Sequence, residues 1–346
     1  MRVPWMLRCT VLLMAVLGVP GLAMGQGLKV FGYADFEAYL AGVGSDDSQL
    51  YFDNHHFNLK TAGSLVDNLF VAAEIEYEHA GEEIAFEYGF LSYTGLKNVT
   101  ISAGKFIVPF GRFNKDLHPT WINKMPDRPH GFSNILPQTY SDVGLWVTGA
   151  LPLGESGGRV TLDAFVVNGL LGDDGGNIRD MRDNDRERLS AGGRDDNKAF
   201  GGRLGLEMAP QGFDIGASAY IGNYLDDPAN NLSLKMFGVD AAFMQGGLEV
   251  RAEGVLASQE ATGGNLSKKG GYAQVAYVIQ GRFEPVVRFS LRDMPTDAQD
   301  QNRISVGINY YVSANSSVRL AFHLNNEKDG FKTDNNNLVT QFNVAF

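Results

Sequence analysis

Apolar and polar side chains alternate one by one along most of this chain. Leu338, Thr340, Phe342, Val344 and Phe346 fall on one face of the final segment, with Val339, Gln341, Asn343 and Ala345 on the other. Val318, Leu320, Phe322 and Leu324 alternate with Arg319, Ala321, His323 and Asn325. Ile304, Val306, Ile308, Tyr310 and Val312 alternate with Arg303, Ser305, Gly307, Asn309 and Tyr311. Nearer the start, Leu69, Val71, Ala73, Ile75 and Tyr77 alternate with Phe70, Ala72, Glu74, Glu76 and Glu78. A period of two belongs to a β-strand with two unlike faces. Followed along the chain, it predicts sixteen strands, at about 28–40, 51–62, 68–79, 83–94, 98–108, 141–151, 159–168, 199–209, 213–223, 233–244, 248–258, 270–280, 283–293, 303–313, 317–325 and 338–346.

A soluble sandwich would also give each strand one apolar face. Two features separate a membrane barrel from it. The segments are about ten residues long, the length a tilted strand needs to cross a bilayer. Connections after even-numbered segments are tight, as at Gly95-Leu96-Lys97, Pro210-Gln211-Gly212, Gln245-Gly246-Gly247, Gly281-Arg282 and Ala314-Asn315-Ser316. Most after odd-numbered segments are longer, the longest being 109–140 and 169–198. An unpaired backbone group in hydrocarbon costs several kcal/mol, so a membrane sheet has to close on itself. The fold class expected is all-β: a transmembrane antiparallel β-barrel of about sixteen strands, with short periplasmic turns and long extracellular loops. A ring of that size leaves an aqueous lumen.

Composition narrows the function. The 346 residues carry 29 Lys and Arg against 40 Asp and Glu, a formal charge of −11, which gives nucleic acid no basic surface. The one cysteine, Cys9, excludes a disulfide framework and a cysteine-ligated metal. Residues 1–25 read as an export signal, with Arg2 and Arg8 ahead of the apolar stretch Thr10 to Pro20 and with Ala23-Met24-Gly25 at the cleavage position. That stretch is shorter than the ~20 residues of a spanning helix. Cleavage after Gly25 removes Cys9, Arg2 and Arg8 and leaves a barrel over 26–346 with a formal charge of −13.

With the apolar face toward lipid, the other parity looks inward. On early strands it is acidic: Asp35 and Glu37, then Glu74, Glu76 and Glu78, then Glu87. On later strands Arg251, Arg288, Arg292, Arg303 and Arg319 accumulate, with His323 beside them and Glu249, Glu253 and Glu284 interleaved. These sets are expected to form an acidic wall facing an arginine-rich one, with a transverse field between them. The alternative is plain solvation by channel water, since any wet barrel has a polar interior. In the 109–140 loop Arg112, Lys115, Lys124 and Arg128 outnumber Asp116 and Asp127. Its prolines and aromatics point to ordered structure, and loops of this length are usually functional. Folded into the lumen, this third loop narrows the pore and offers guanidinium and ammonium donors to passing anions. Folded outward, it is a lid or a contact between subunits. The inward arrangement is expected. The 169–198 loop, with Gly172-Asp173-Asp174-Gly175-Gly176 and a charged run from Arg179 to Arg188, reads as solvated. Its spacing matches no EF-hand, and divalent ions shared with lipopolysaccharide stay open.

Gly154-Glu155-Ser156-Gly157-Gly158 fits G-x-S-x-G formally, but it falls between two strands, whereas a nucleophile elbow joins a strand to a helix. His55 and His56, being adjacent, are expected to point to opposite strand faces, a poor arrangement for one metal. His79, His118, His130 and His323 are scattered, with no zinc signature. No catalytic constellation, metal centre or cofactor is read from the sequence.

Terminal Phe346, behind the alternation of Leu338, Thr340, Phe342 and Val344, resembles the signal by which barrel assembly machinery recognises outer-membrane proteins. Gly104-Lys105-Phe106-Ile107-Val108-Pro109-Phe110-Gly111, with Arg128-Pro129 downstream, is similar to the fifth-strand exit of the phosphate-selective porin O/P family. The resemblance implies a sixteen-stranded homotrimeric porin in the outer membrane of a Gram-negative bacterium, its third loop inside the channel. Phosphate-selective members use lumen arginines and a lysine cluster. Here glutamates interrupt the arginines, and Lys60 is the clearest lumen lysine. The function expected is therefore passive diffusion of small hydrophilic solutes or ions. An anion- or phosphate-selective channel and a non-conducting structural or adhesive barrel are the rivals.

Overall fold

The computed structural model describes residues 27–346 apart from 118, 177, 182–197, 228–229, 329, 332 and 334. The export signal at 1–25 and most of the charged run in the 169–198 loop lie outside the described residues. Strands form where alternation places them: β1 Lys29–Ala41, β2 Gln49–Val66, β3 Leu69–Glu78, β4 Glu83–Leu96, β5 Val99–Ile107, β6 Ser141–Pro152, β7 Gly158–Val167, β8 Leu170–Gly172, β9 Ile178–Met181, β10 Ala199–Met208, β11 Phe213–Asp227, β12 Asn230–Gln245, β13 Leu248–Gln259, β14 Leu266–Tyr277, β15 Phe283–Asp293, β16 Gln301–Ser313, β17 Ser316–Glu327 and β18 Asn337–Ala345. β8 and β9 pair with each other in the loop between β7 and β10, and the other sixteen close into one antiparallel barrel. No helix of the described residues is long and apolar enough to cross a membrane.

Closure is made by β1 and β18, paired from Tyr33↔Ala345 to Leu40↔Leu338. Gly32 and Phe346 continue the seam with two backbone hydrogen bonds of 2.9 Å, so neither strand keeps a free edge. The short turns fix register by their chemistry. Gly246 and Gly247 join β12 to β13 with φ of 59° and 86°, the two positive values that a tight hairpin turn demands and that glycine adopts without strain.

The two faces separate as the alternation requires. On β10 Arg203 is 1% exposed and its neighbour Leu204 is 56% exposed. Ile304, Val306, Ile308 and Tyr310 of β16 look outward, whereas Ser305 and Asn309 are buried inside the ring. The β11–β12 hairpin departs from expectation. Both strands run on past the expected ends at 223 and 233, leaving two residues, 228 and 229, between them. A bulge between Asn223 and Leu225 restores pairing, with Leu225 opposite Leu232. From Leu232 in this extension to Met236 inside the expected strand the apolar parity is inverted: Leu232, Leu234 and Met236 are buried and Lys235 is exposed.

Leu204 lies mid-strand beside the equally outward Leu162 of β7. Leu204→Arg is expected to lower folding stability in lipid vesicles by about 2–4 kcal/mol, the depth-dependent penalty of a charge on the lipid face. Reversible urea titration checks this, and an unchanged midpoint would place Leu204 in water.

Candidate functional site

The chain leaves β5 at Ile107 and rejoins the wall at Ser141, and the intervening segment crosses the inside of the ring. Asn114 ties its two ends together. The amide nitrogen donates to the carbonyls of Val108 and Tyr140, both at 2.9 Å, and its oxygen accepts the Tyr140 N–H at 3.0 Å. Just before the π-helical turn Phe113–Leu117, one Glu253 oxygen on β13 accepts the N–H groups of Arg112 at 3.1 Å and Phe113 at 2.8 Å. The Gly111 N–H donates to Ser218 of β11 at 3.0 Å. Thr120 donates its hydroxyl to Asp35 of β1, four strands around the ring from β5. A segment touching β1, β11 and β13 at once lies inside the barrel.

Three later-strand arginines grip this loop. Arg288 of β15 donates to the Asp127 carbonyl at 2.9 Å and to the Asn123 side-chain oxygen at 2.8 Å. Arg303 of β16 meets the Asp127 carboxylate at 2.7 Å. Arg319 of β17 donates to the Thr120 carbonyl at 2.5 Å and the Trp121 carbonyl at 3.2 Å. Arg251 instead pairs with Glu249 at 2.7 Å, and Arg292 donates to the Gln299 carbonyl at 3.0 Å.

The loop's own cations are engaged as well. Arg112 lies 2.7 Å from both Asp116 and Asp214, Lys115 is 2.6 Å from Asp163, and Lys124 is 2.8 Å from Glu284. Arg128 donates to the Pro137 carbonyl at 2.7 Å. The expectation that these groups present themselves to passing anions is therefore revised. A half-buried charge without a partner is costly, and wall carboxylates supply the partner.

Apolar packing completes the docking. Phe132 is buried with its ring edge-on to Tyr272 of β14 at 5.7 Å and tilted to Phe113 at 6.1 Å. Gly131 sits backbone to backbone on Gly270 and Gly271, where a Cβ on either side would collide with a peptide oxygen. Leu234, Met236, Val255 and Ala257 extend the same cluster over β12 and β13. Sequence reading missed this apolar lumen sector. Its signal was the parity switch at Met236-Phe237, where apolar residues stop being odd or even and occupy both.

The acidic set is placed on β1 to β4, and only β18 separates Asp35 on β1 from Arg319 on β17. The two sets adjoin at that edge, because closure joins the first strand to the last, and face each other farther round, with Arg251 on β13 eight strands from Glu74, Glu76 and Glu78 on β3. Glu74 pairs with Lys60 at 3.0 Å, and Tyr33 donates to Glu76 at 3.3 Å. A cavity of about 240 Å³ lies between Glu76, Glu78 and loop residues Thr120, Asp127, Arg128 and Gln138. A second of about 450 Å³ shares Glu76, Glu78 and Gln138 and reaches Glu87 and Lys105. A third of about 520 Å³ shares Arg128, Ser133 and Gln138. These three overlap along one side of the loop, and two of them border the acidic sector. Across the loop a smaller cavity of about 130 Å³ touches Lys124, Arg251 and Arg288.

His55 and His56 also depart from expectation. A register shift between Asp35 and Glu37 sets three β2 steps against two on β1, a bulge that turns consecutive side chains to one face. Their rings lie 3.9 Å apart.

Two loop groups are strongly biased by their surroundings. Burial would raise the Asp127 carboxyl, but His323, Arg303 and Arg288 hold it below its usual range. Burial, reinforced by the charges of Arg303 and Arg292, pushes His130 down to about 3.

No family model matches the chain. An uncharacterized protein of Aquifex aeolicus is 28% identical over 246 residues, 67% of this chain and 53% of that protein, so the chain spans about half the length of the curated relative it matches. Among solved structures, the anion-selective porin from Comamonas acidovorans superposes with a TM-score of 0.68 at 11% identity, covering 92% of this chain and 99% of that one. Salmonella typhi OmpF, in complex with daunomycin, gives 0.66 at 12% identity over 93% and 98%. The outer membrane channel DcaP of Acinetobacter baumannii gives 0.58 at 12% over 95% and 100%. The fold is a porin fold. The diagnostic motif of the likeness to the phosphate-selective O/P family covers residues 104–129 alone, the rest being shared barrel architecture.

A histidine whose value is depressed by folding takes up a proton when released, so it favours docking fully above its ordinary value of about 6.5. Docking of the loop is expected to weaken as pH falls from about 6.5 toward 3. Asp127, held low, adds a loss only beneath its ordinary range. Hydrogen-exchange protection of residues 113–136, normalised at each pH, should fall across that window in the wild type. In His130→Gln the decline should be shallower; an identical slope in both proteins would remove His130 from the linkage.

Proposed function

We propose that this chain is an outer-membrane porin that lets small hydrophilic solutes and ions diffuse passively between its third loop and the acidic sector of its wall. The observation carrying this reading is the run of overlapping polar cavities along Glu76, Glu78, Glu87 and loop residues Arg128, Ser133 and Gln138. A band of exposed Leu145, Leu162, Leu204, Val239 and Leu256 side chains supports a lipid-facing exterior. The resemblance adds a homotrimer, contact with lipopolysaccharide and delivery by the assembly machinery through Phe346.

Charge bookkeeping favours a mild preference for cations. The loop lysines and arginines and the three gripping arginines are engaged by the protein itself; Glu76 and Glu78 are also held, by Tyr33 and His56, but with Glu87 they outnumber Lys105 and Arg128 beside the open space. A wall of one sign concentrates counter-ions in a narrow lumen. Anion or phosphate selectivity would need guanidinium groups free to exchange partners. A sealed structural barrel is the second reading, favoured by the apolar cluster around Phe132 that fills the opposite side.

Planar-bilayer recordings under a KCl gradient should give a reversal potential favouring K⁺. Combined Glu76→Gln, Glu78→Gln and Glu87→Gln substitution should move it several-fold in permeability ratio toward Cl⁻. Wild-type chloride preference would establish the anion-selective alternative, and an absence of conductance by correctly inserted protein would establish the sealed one.

A further inference from the structure

Asp35, His55 and His56 stand together inside the ring, their ligand atoms all within 4.8 Å of one another. Three features distinguish them from a chance cluster. The β2 bulge brings two adjacent histidines to one face, where a regular strand would part them. His55 Nδ1 is buried and makes no hydrogen bond, though it lies 4.0 Å from Asp35 and 3.4 Å from Glu37. His56 Nδ1 lies 3.0 Å from Asp35 while its Nε2 faces Glu78 at 3.5 Å.

We propose that Asp35, His55 and His56, with Glu37 beside them, bind one divalent ion of the zinc class on the lumen wall. Two imidazoles and a carboxylate suit zinc, cobalt or nickel, whereas magnesium and calcium prefer oxygen alone. Zinc bonds of about 2.0–2.1 Å set tetrahedral ligand atoms roughly 3.4 Å apart, and the separations of 3.0, 3.4 and 4.0 Å bracket that edge. Glu78 would accept a hydrogen bond from the His56 Nε2–H, leaving the Nδ1 lone pair for the metal; such carboxylate partners orient ligating histidines. Access runs through the cavity of about 240 Å³ that touches His55, His56 and Glu78. Thr120 donates to Asp35, so the ion would sit directly under the loop.

The site stands on geometry and does not depend on conduction. Detergent-folded, EDTA-stripped protein titrated with ZnCl₂, with bound metal counted by elemental analysis, is expected to hold one Zn²⁺ per chain that excess Mg²⁺ does not displace. His55→Ala removes no hydrogen bond and should abolish the stoichiometric ion with an unchanged far-UV spectrum. Glu78→Gln should weaken binding by about tenfold. Equal Zn²⁺ uptake by wild type and His55→Ala, or displacement by Mg²⁺, would overturn the site.

Discussion

A backbone in hydrocarbon has no water to bond, so a sheet there is stable only when its last strand finds its first. In this chain that demand is met where β1 runs antiparallel to β18 and Gly32 bonds Phe346. Much else follows from the ring. Once it closes, one parity of every strand lies among its own kind, and the polar parity has to be solvated or paired within the enclosed volume. The interior carries Arg203, Arg288 and Arg319 at 2% exposure or less, and each is met by carboxylates, amides or carbonyls.

The third loop resolves much of that pairing. Its carbonyls and Asp127 take up guanidinium donors from β15, β16 and β17, while its own Arg112, Lys115 and Lys124 take up carboxylates from β11, β7 and β15. Loop and wall thus neutralise each other across the lumen, and the local positive surplus of the loop is consumed in holding it. The acidic sector of β1 to β4 is contacted more sparingly, chiefly through Thr120. That asymmetry leaves polar space on one side of the loop and an aromatic seal of Phe113, Phe132 and Tyr272 on the other. Docking also sets the protonation of His130, because its burial beside Arg303 and Arg292 requires a neutral ring.

The strands were legible because period two is written in each residue's own chemistry: all sixteen expected segments became barrel strands, with ends displaced by at most four residues. The inward course of the loop could be anticipated from its prolines, aromatics and charges, but its partners could not. Which carboxylate meets Lys115 depends on ring order and stagger, which no local pattern encodes. The two walls adjoin at Asp35 and Arg319 because closure is a global property. His55 and His56 share a face because one extra residue on β2 changed the parity locally, and Leu232, Leu234 and Met236 turn inward to pack on the docked loop, an apolar partner that no local pattern shows.

The central claim, a closed ring threaded by its own loop, is tested most directly by joining the loop to the strand it reaches across the lumen. With Cys9 replaced by serine, Thr120→Cys and Asp35→Cys in membrane-inserted protein should form an intramolecular disulfide under mild oxidation, and neither single variant should cross-link. A failure to cross-link, with residue 120 instead labelled rapidly by a bulky thiol reagent from outside, would contradict it.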